Sequence, residues 1–207
     1  VVITFFGSVR DEMKRLRIEG GCLSPRLGDA RLRSHLALTS NGLTSIDPRV
    51  YDVFLVYGLT FRVPCLSRGL SRAVIHAAAE DSFAGSANCD VAALLRSVTN
   101  APVYVAAAPM RAGSTAPRNG REMDYPEIVN ELEQVLKRRG LIFVAQPART
   151  VESGCRTRPE FTKGAKSLVE GRSTDASDRL HMNAEYGQLF IDRLIERVTS
   201  DRSSRHC

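Results

Sequence analysis

The apolar residues of this chain follow two rhythms. Short unbroken runs of β-branched and aromatic residues alternate with longer stretches in which apolar positions return every three or four residues. The first rhythm suits strands buried on both faces of a parallel sheet, and the second suits amphipathic helices. Residues 1–6, Val-Val-Ile-Thr-Phe-Phe, form the first run and Gly7 stops it, so a buried parallel strand is predicted there. Val9, Met13 and Leu16 predict a helix over residues 9–18, ended by Gly20-Gly21. Residues 22–34 obey neither rhythm. Residues 36–39 predict a short second strand, closed by Asn41-Gly42.

The pattern sharpens after residue 50. Residues 51–57, Tyr-Asp-Val-Phe-Leu-Val-Tyr, carry the strongest strand signal, and Gly58 stops it. Ala- and Leu-rich helices are predicted over 68–80 and 89–98, and a strand over 103–108 ends at Pro109. A helix follows over 125–139, with Ile128, Leu132, Val135 and Leu136 on one face and Gly140 placed to cap its end. A strand over 141–145 ends at Pro147. Residues 148–177 are polar and weakly patterned, and so long a loop in a compact domain is usually functional or mobile. The last helix is expected over 183–200, followed by a frayed tail over 201–207. Strands alternating with helices imply one α/β domain over residues 1–200, with a parallel sheet of about five strands covered on both faces. Ligands of such sheets bind at the carboxyl ends of the strands. Those ends are Gly7-Ser8, residues 39–42, residues 58–60, Pro109 and Pro147.

Composition narrows the function classes. The chain has 207 residues, 43% hydrophobic and 25% charged, which is ordinary globular usage. The formal charge is +6, but the basic residues are scattered, aromatics make up 6% and there is no Trp. A nucleic-acid groove wants a continuous basic face with interleaved aromatics, so no nucleic-acid partner is expected. No run approaches the roughly 18 to 20 apolar residues of a membrane span. A cytoplasmic protein is expected, with a segment upstream of Val1 left open. The cysteines at 22, 65, 89, 155 and 207 form no C-x-x-C, so neither a zinc site nor a disulfide framework is expected, and a reducing compartment is the simplest reading. Cys65 and Cys89 fall in helical patterns and read as buried packing.

Candidate chemistry sits at the two ends of the chain. Asp178-Arg179-Leu180-His181 places an acid three residues before a histidine, just ahead of the last helix. A serine hydroxyl becomes a nucleophile when a base takes its proton, and the histidine base needs a third group to fix its tautomer. Asp178 and His181 have the spacing for those two roles. Alternatively, Asp178 caps the helix and His181 is a surface residue. Ser8, just after the first predicted strand, is either the nucleophile or a helix cap. His35 and His76 read as structural, and His206 lies in the tail. No metal-ligand spacing and no phosphate-binding glycine motif is present, so neither metal nor cofactor is expected.

With Asp178 ahead of His181-Met182-Asn183-Ala184-Glu185-Tyr186-Gly187, the chain resembles the SGNH, or GDSL-type, hydrolases, whose last sequence block completes a Ser-His-Asp triad. The apolar run ending in Gly7-Ser8 resembles the first block. Residues 51–60, ending Gly58-Leu59-Thr60, resemble the third, and residues 103–109 resemble the strand that follows. The resemblance spans most of the chain in order, and the last block is its specific part. It departs in two places. Val9 stands where the family has its serine and Ser8 where it has Asp or Asn. Thr60 stands where it has the oxyanion-hole Asn. The resemblance implies a flavodoxin-like three-layer α/β/α sandwich. It also implies a serine esterase or acyltransferase acting on an ester-linked acyl group, for example on a carbohydrate. Ser8, Asp178 and His181 would be catalytic, and Gly42, Gly58 and Thr60 would form the oxyanion hole. The partner would be a small-molecule or glycan ester, with the oligomeric state open. The other implication is a non-catalytic relative that binds a ligand or partner and has lost its nucleophile.

Overall fold

The computed structural model describes residues 2–8, 11–112, 122–152, 155–165, 179 and 181–204. It divides into two compact units. One comprises Val1–Phe61, Asp81–Ala108 and Leu136–Phe143, the other Arg62–Glu80, Pro109–Val135 and Val144–Cys207.

The start of the first unit departs from the hydrophobic pattern. The expected strand over 1–6 does not form. Residues 2–8 belong to no strand, and Val2, Ile3 and Phe5 are 93%, 55% and 65% exposed. An apolar run shows that a segment would be buried if paired, but it does not supply the pairing strand. Phe6 instead lies edge-on to Tyr51, with ring centroids 6.1 Å apart. The helix expected over 9–18 is also replaced. A single 3-10 turn, Glu12–Arg15, leads into strand β1 (Leu16–Glu19), which pairs antiparallel with β2 (Cys22–Pro25). Gly20 and Gly21 explain the change. Both are left-handed, at φ +58° and +81°, which is the geometry of a two-residue hairpin turn rather than of a helix stop. The strand expected over 36–39 lies inside helix α1 (Ala30–Thr39). Its period begins at Leu32 and returns at Leu36, both fully buried, and four residues alone could not reveal it. The Asp29 carboxylate caps α1 by accepting from the Leu32 N–H at 3.1 Å.

From residue 50 onward the pattern and the structure agree on where most elements lie. β3 (Phe54–Gly58), β4 (Val103–Ala107) and β5 (Ile142–Phe143) form a parallel sheet in the order β3-β4-β5. β5 has two paired residues where five were expected. Helix α3 (Ala87–Val98) packs on β3, β4 and the β1–β2 hairpin, burying Val91, Ala92 and Leu95. Phe61 closes this core, edge-on to Phe83 at 5.3 Å and to Phe143 at 6.1 Å.

In the second unit, α4 (Tyr125–Arg138) contributes Tyr125, Ile128 and Leu132 to the interior. A short antiparallel pair, β6 (Val151–Glu152) with β7 (Arg156–Thr157), stands within the long loop expected over 148–177. The buried amide of Gln146 organises its surroundings. Its oxygen accepts from the Met110 N–H at 3.1 Å, and its nitrogen donates to the Thr150 and Thr157 hydroxyls at 3.0 and 2.9 Å. The Gln146 N–H donates to the Tyr125 hydroxyl at 2.8 Å. α5 (Ala184–Ser203) is the expected last helix, continuing through residues 201–203 where fraying was expected.

The architecture is therefore α/β, with three parallel strands among five α-helices in the described residues. Among those residues no helix is long and apolar enough to cross a membrane.

Candidate functional site

Ser8 lies in the first unit, half-buried, four residues before Glu12. Its hydroxyl donates to Glu12 Oε2 at 3.3 Å, long for an O–H···O bond. The same oxygen accepts from His35 Nδ1 at 2.7 Å. A carboxylate can only accept, so Nδ1 carries the proton. The other oxygen, Glu12 Oε1, meets Arg31 Nε at 2.8 Å and the Arg15 guanidinium at 3.4 Å, and Arg15 Nε reaches Asp29 at 3.2 Å. Ser8 does not cap the 3-10 turn that follows. The cap position there is Asp11, and its side chain makes no cap bond. The sequence pattern does not single out Glu12, and it reads His35 as structural; the contact between them joins positions 23 residues apart. With 30–39 read as helix, Arg31 and His35 stand four residues apart on one face, which is the available signal.

The oxyanion-hole candidates each have a local duty. Gly42 turns the chain after α1 at φ +100°, and its N–H donates to the Ala37 carbonyl at 2.8 Å, closing the end of that helix. Gly58 and Leu59 are consecutive left-handed residues, at φ +72° and +40°, and turn the chain sharply at the carboxyl end of β3. Thr60 follows. Its hydroxyl oxygen accepts from the Ala87 N–H at 2.8 Å, which caps the first turn of α3. Asn88 completes this corner. Its fully buried amide donates to the carbonyls of Val56 and Ala106 at 3.2 and 3.3 Å, and accepts from the Phe61 N–H at 3.1 Å. One side chain thus joins the ends of two parallel strands to the turn that leaves the sheet. A buried amide must find such partners or cost stability, but its position in a helical pattern does not name them.

His181 lies in the second unit, exposed, two residues before the cap of α5. The cap itself is firmly placed. Asn183 Oδ1 accepts from the Tyr186 N–H at 3.0 Å, and Nδ2 donates to the carbonyls of Glu160 and Lys163 at 3.0 and 3.1 Å. The Asn183 N–H donates to the Phe161 carbonyl at 2.7 Å, and Phe161 stands edge-on to Tyr186 at 6.3 Å. These bonds fix the backbone just after His181. Asp178 lies outside the described residues. Among the described residues no group of three or more His, Cys, Asp or Glu side chains could hold a metal ion.

No protein-family model matches the chain, and neither the curated proteins nor the solved structures yield a match.

Proposed function

We propose that the chain is a serine esterase or acyltransferase of the SGNH type, acting on an ester-linked acyl group such as an acetylated carbohydrate. The observation that carries this reading is the anchored start of α5. Asn183 ties the residues after His181 to the 159–163 turn through several bonds, and a catalytic base needs such a fixed backbone. The left-handed turn at Gly58, at the carboxyl end of a parallel strand, stands where ligands of α/β sheets are met. In this reading Ser8 attacks the acyl carbon and His181 takes its proton, then returns it to the leaving alcohol. Asp178 holds the imidazole in its working tautomer. The flavodoxin-like three-layer arrangement belongs to the same proposal.

The test is turnover of p-nitrophenyl acetate together with labelling by a fluorophosphonate probe. Ser8→Ala and His181→Ala should each lower turnover by at least about 1,000-fold. Full activity in both variants would remove the triad assignment.

A second reading has its own support. Ser8 already donates to Glu12, the Gly42 N–H is spent on α1, and the Thr60 oxygen is spent on α3. These engagements suit a non-catalytic binder of acyl or glycan ligands. A folded protein that resists the probe at Ser8, yet binds an acetylated sugar in calorimetry, would favour the binder.

A further inference from the structure

Two of the four cysteines among the described residues meet in the second unit, although 90 positions separate them along the chain. The Cys155 thiol donates to the Pro64 carbonyl at 3.7 Å. The Cys65 side chain and the Leu66 backbone are also close enough to act on it. Its sulfur therefore lies against the three consecutive residues 64–66, with Cys65 in the middle. Both stretches are braced independently of the sulfurs. The Leu66 carbonyl accepts from the Met123 N–H at 2.8 Å, and Ser67 bridges Glu122. On the other side, Arg156 and Thr157 pair with Glu152 and Val151, and the Thr157 N–H donates to the Arg111 carbonyl at 3.2 Å. The thiols differ in access: Cys65 is exposed and Cys155 is buried. The expectation that Cys65 is a buried packing residue in a helix is thereby corrected. It lies ahead of α2 (Arg72–Ala84), in a non-helical stretch.

We propose that Cys65 and Cys155 are a redox-modifiable pair that closes to an intramolecular disulfide when the protein meets a peroxide. The steps balance. The exposed Cys65 sulfur attacks one peroxide oxygen, breaking the O–O bond to give a sulfenic acid and one water. The Cys155 sulfur then attacks the sulfenic sulfur, forming the S–S bond and releasing the hydroxyl as a second water. Two thiols lose two electrons and two protons, and the peroxide accepts them. A thiol such as glutathione reverses the change by disulfide exchange. Burial, then the neighbouring Cys65 sulfur and the Glu122 charge, push the Cys155 thiol up to about 12. The second step therefore runs through the small thiolate fraction of Cys155, which gives up its proton before its sulfur attacks, and should quicken as pH rises.

The test uses the reduced full chain, dilute, treated with hydrogen peroxide, blocked with iodoacetamide and digested without reductant. Mass spectrometry should find the Cys65 and Cys155 peptides joined in monomeric protein, faster at pH 9 than at pH 7 by about 10-fold or more. The joined peptide should vanish in Cys65→Ser and in Cys155→Ser, with Cys155→Ala as the substitute should the latter fail to fold. Recovery of Cys155 fully alkylated while Cys65 has gone on to sulfinic acid would overturn the proposal. So would a disulfide from either residue to Cys22, Cys89 or a second molecule.

Discussion

Glu12 and Glu131 are two versions of one device. Each is a largely buried glutamate that accepts from a histidine Nδ1 and from an arginine. Glu12 meets His35 at 2.7 Å and Arg31 at 2.8 Å, while Glu131, on α4, meets His76 at 3.0 Å and Arg72 at 3.1 Å. The difference is in what else reaches the carboxylate. Glu12 also receives a second guanidinium and the Ser8 hydroxyl, and so brings a candidate nucleophile next to an acid and an imidazole. Glu131 holds α2 to α4 and brings no serine hydroxyl to its carboxylate among the bonds described. Charge, histidine and burial recur in both, so they do not mark a reactive site by themselves. The hydroxyl is what sets one cluster apart.

The comparison can be broken by substitution. Glu12→Gln should cost about 1 to 2 kcal/mol in urea unfolding, because it weakens several charge-assisted bonds at once. Equal stability of Glu12→Gln and the parent would show that these bonds are all lost to solvent screening. Glu131→Gln should cost less, about 1 kcal/mol, since Arg72 is well exposed and its pairing is screened.

The pH dependence sharpens the contrast. Burial raises the Glu131 carboxyl, but the hydrogen bonds from His76 and Arg72 outweigh it and leave the group below the ordinary glutamate range. A group lowered in the folded state stabilises above its unfolded pKa and loses that contribution as pH falls through its folded value. The stability gap between parent and Glu131→Gln should therefore be steady near pH 7 and shrink below about pH 4.5. A gap that widens on acidification would reverse the assignment. The smallest effect is expected at the hydroxyl. Ser8→Ala should change stability by less than about 0.5 kcal/mol, because its bond to Glu12 is long. A near-silent effect on folding with a large loss of esterase turnover would separate chemistry from scaffolding at that residue.

The two clusters also show where the sequence could be read. Glu131 sits on a helix whose apolar face, Ile128, Leu132, Val135 and Leu136, repeats over three turns and is buried as expected. β3 and β4 were legible for a similar reason, since each is an unbroken apolar run that a glycine or proline stops. The stretch around Glu12 offered only Val9, Met13 and Leu16, and three positions cannot tell a helix from a 3-10 turn followed by a strand. Gly20-Gly21 could equally end a helix or build a hairpin, and the competing β-pairing decided it. The apolar run at 1–6 says nothing about whether a neighbouring strand exists. At the candidate site, the last helix starts where the pattern over 183–200 predicts it, but its cap is Asn183 and not the Asp178 offered as the alternative to a catalytic acid. The roles of Glu12, His35 and Asn88 depend on contacts between distant positions, which periodicity does not encode. The Cys65–Cys155 meeting is of the same kind.

Asn88 has a mechanical consequence. Its carboxamide touches β3 through Val56, β4 through Ala106 and the departing turn through Phe61. Sliding β3 past β4 by one residue would move those groups roughly 3.3 Å apart and strand three buried polar groups together. A parallel pair of five-residue strands is short enough to tolerate misalignment, and this amide acts as a ratchet pawl that leaves it a single seating.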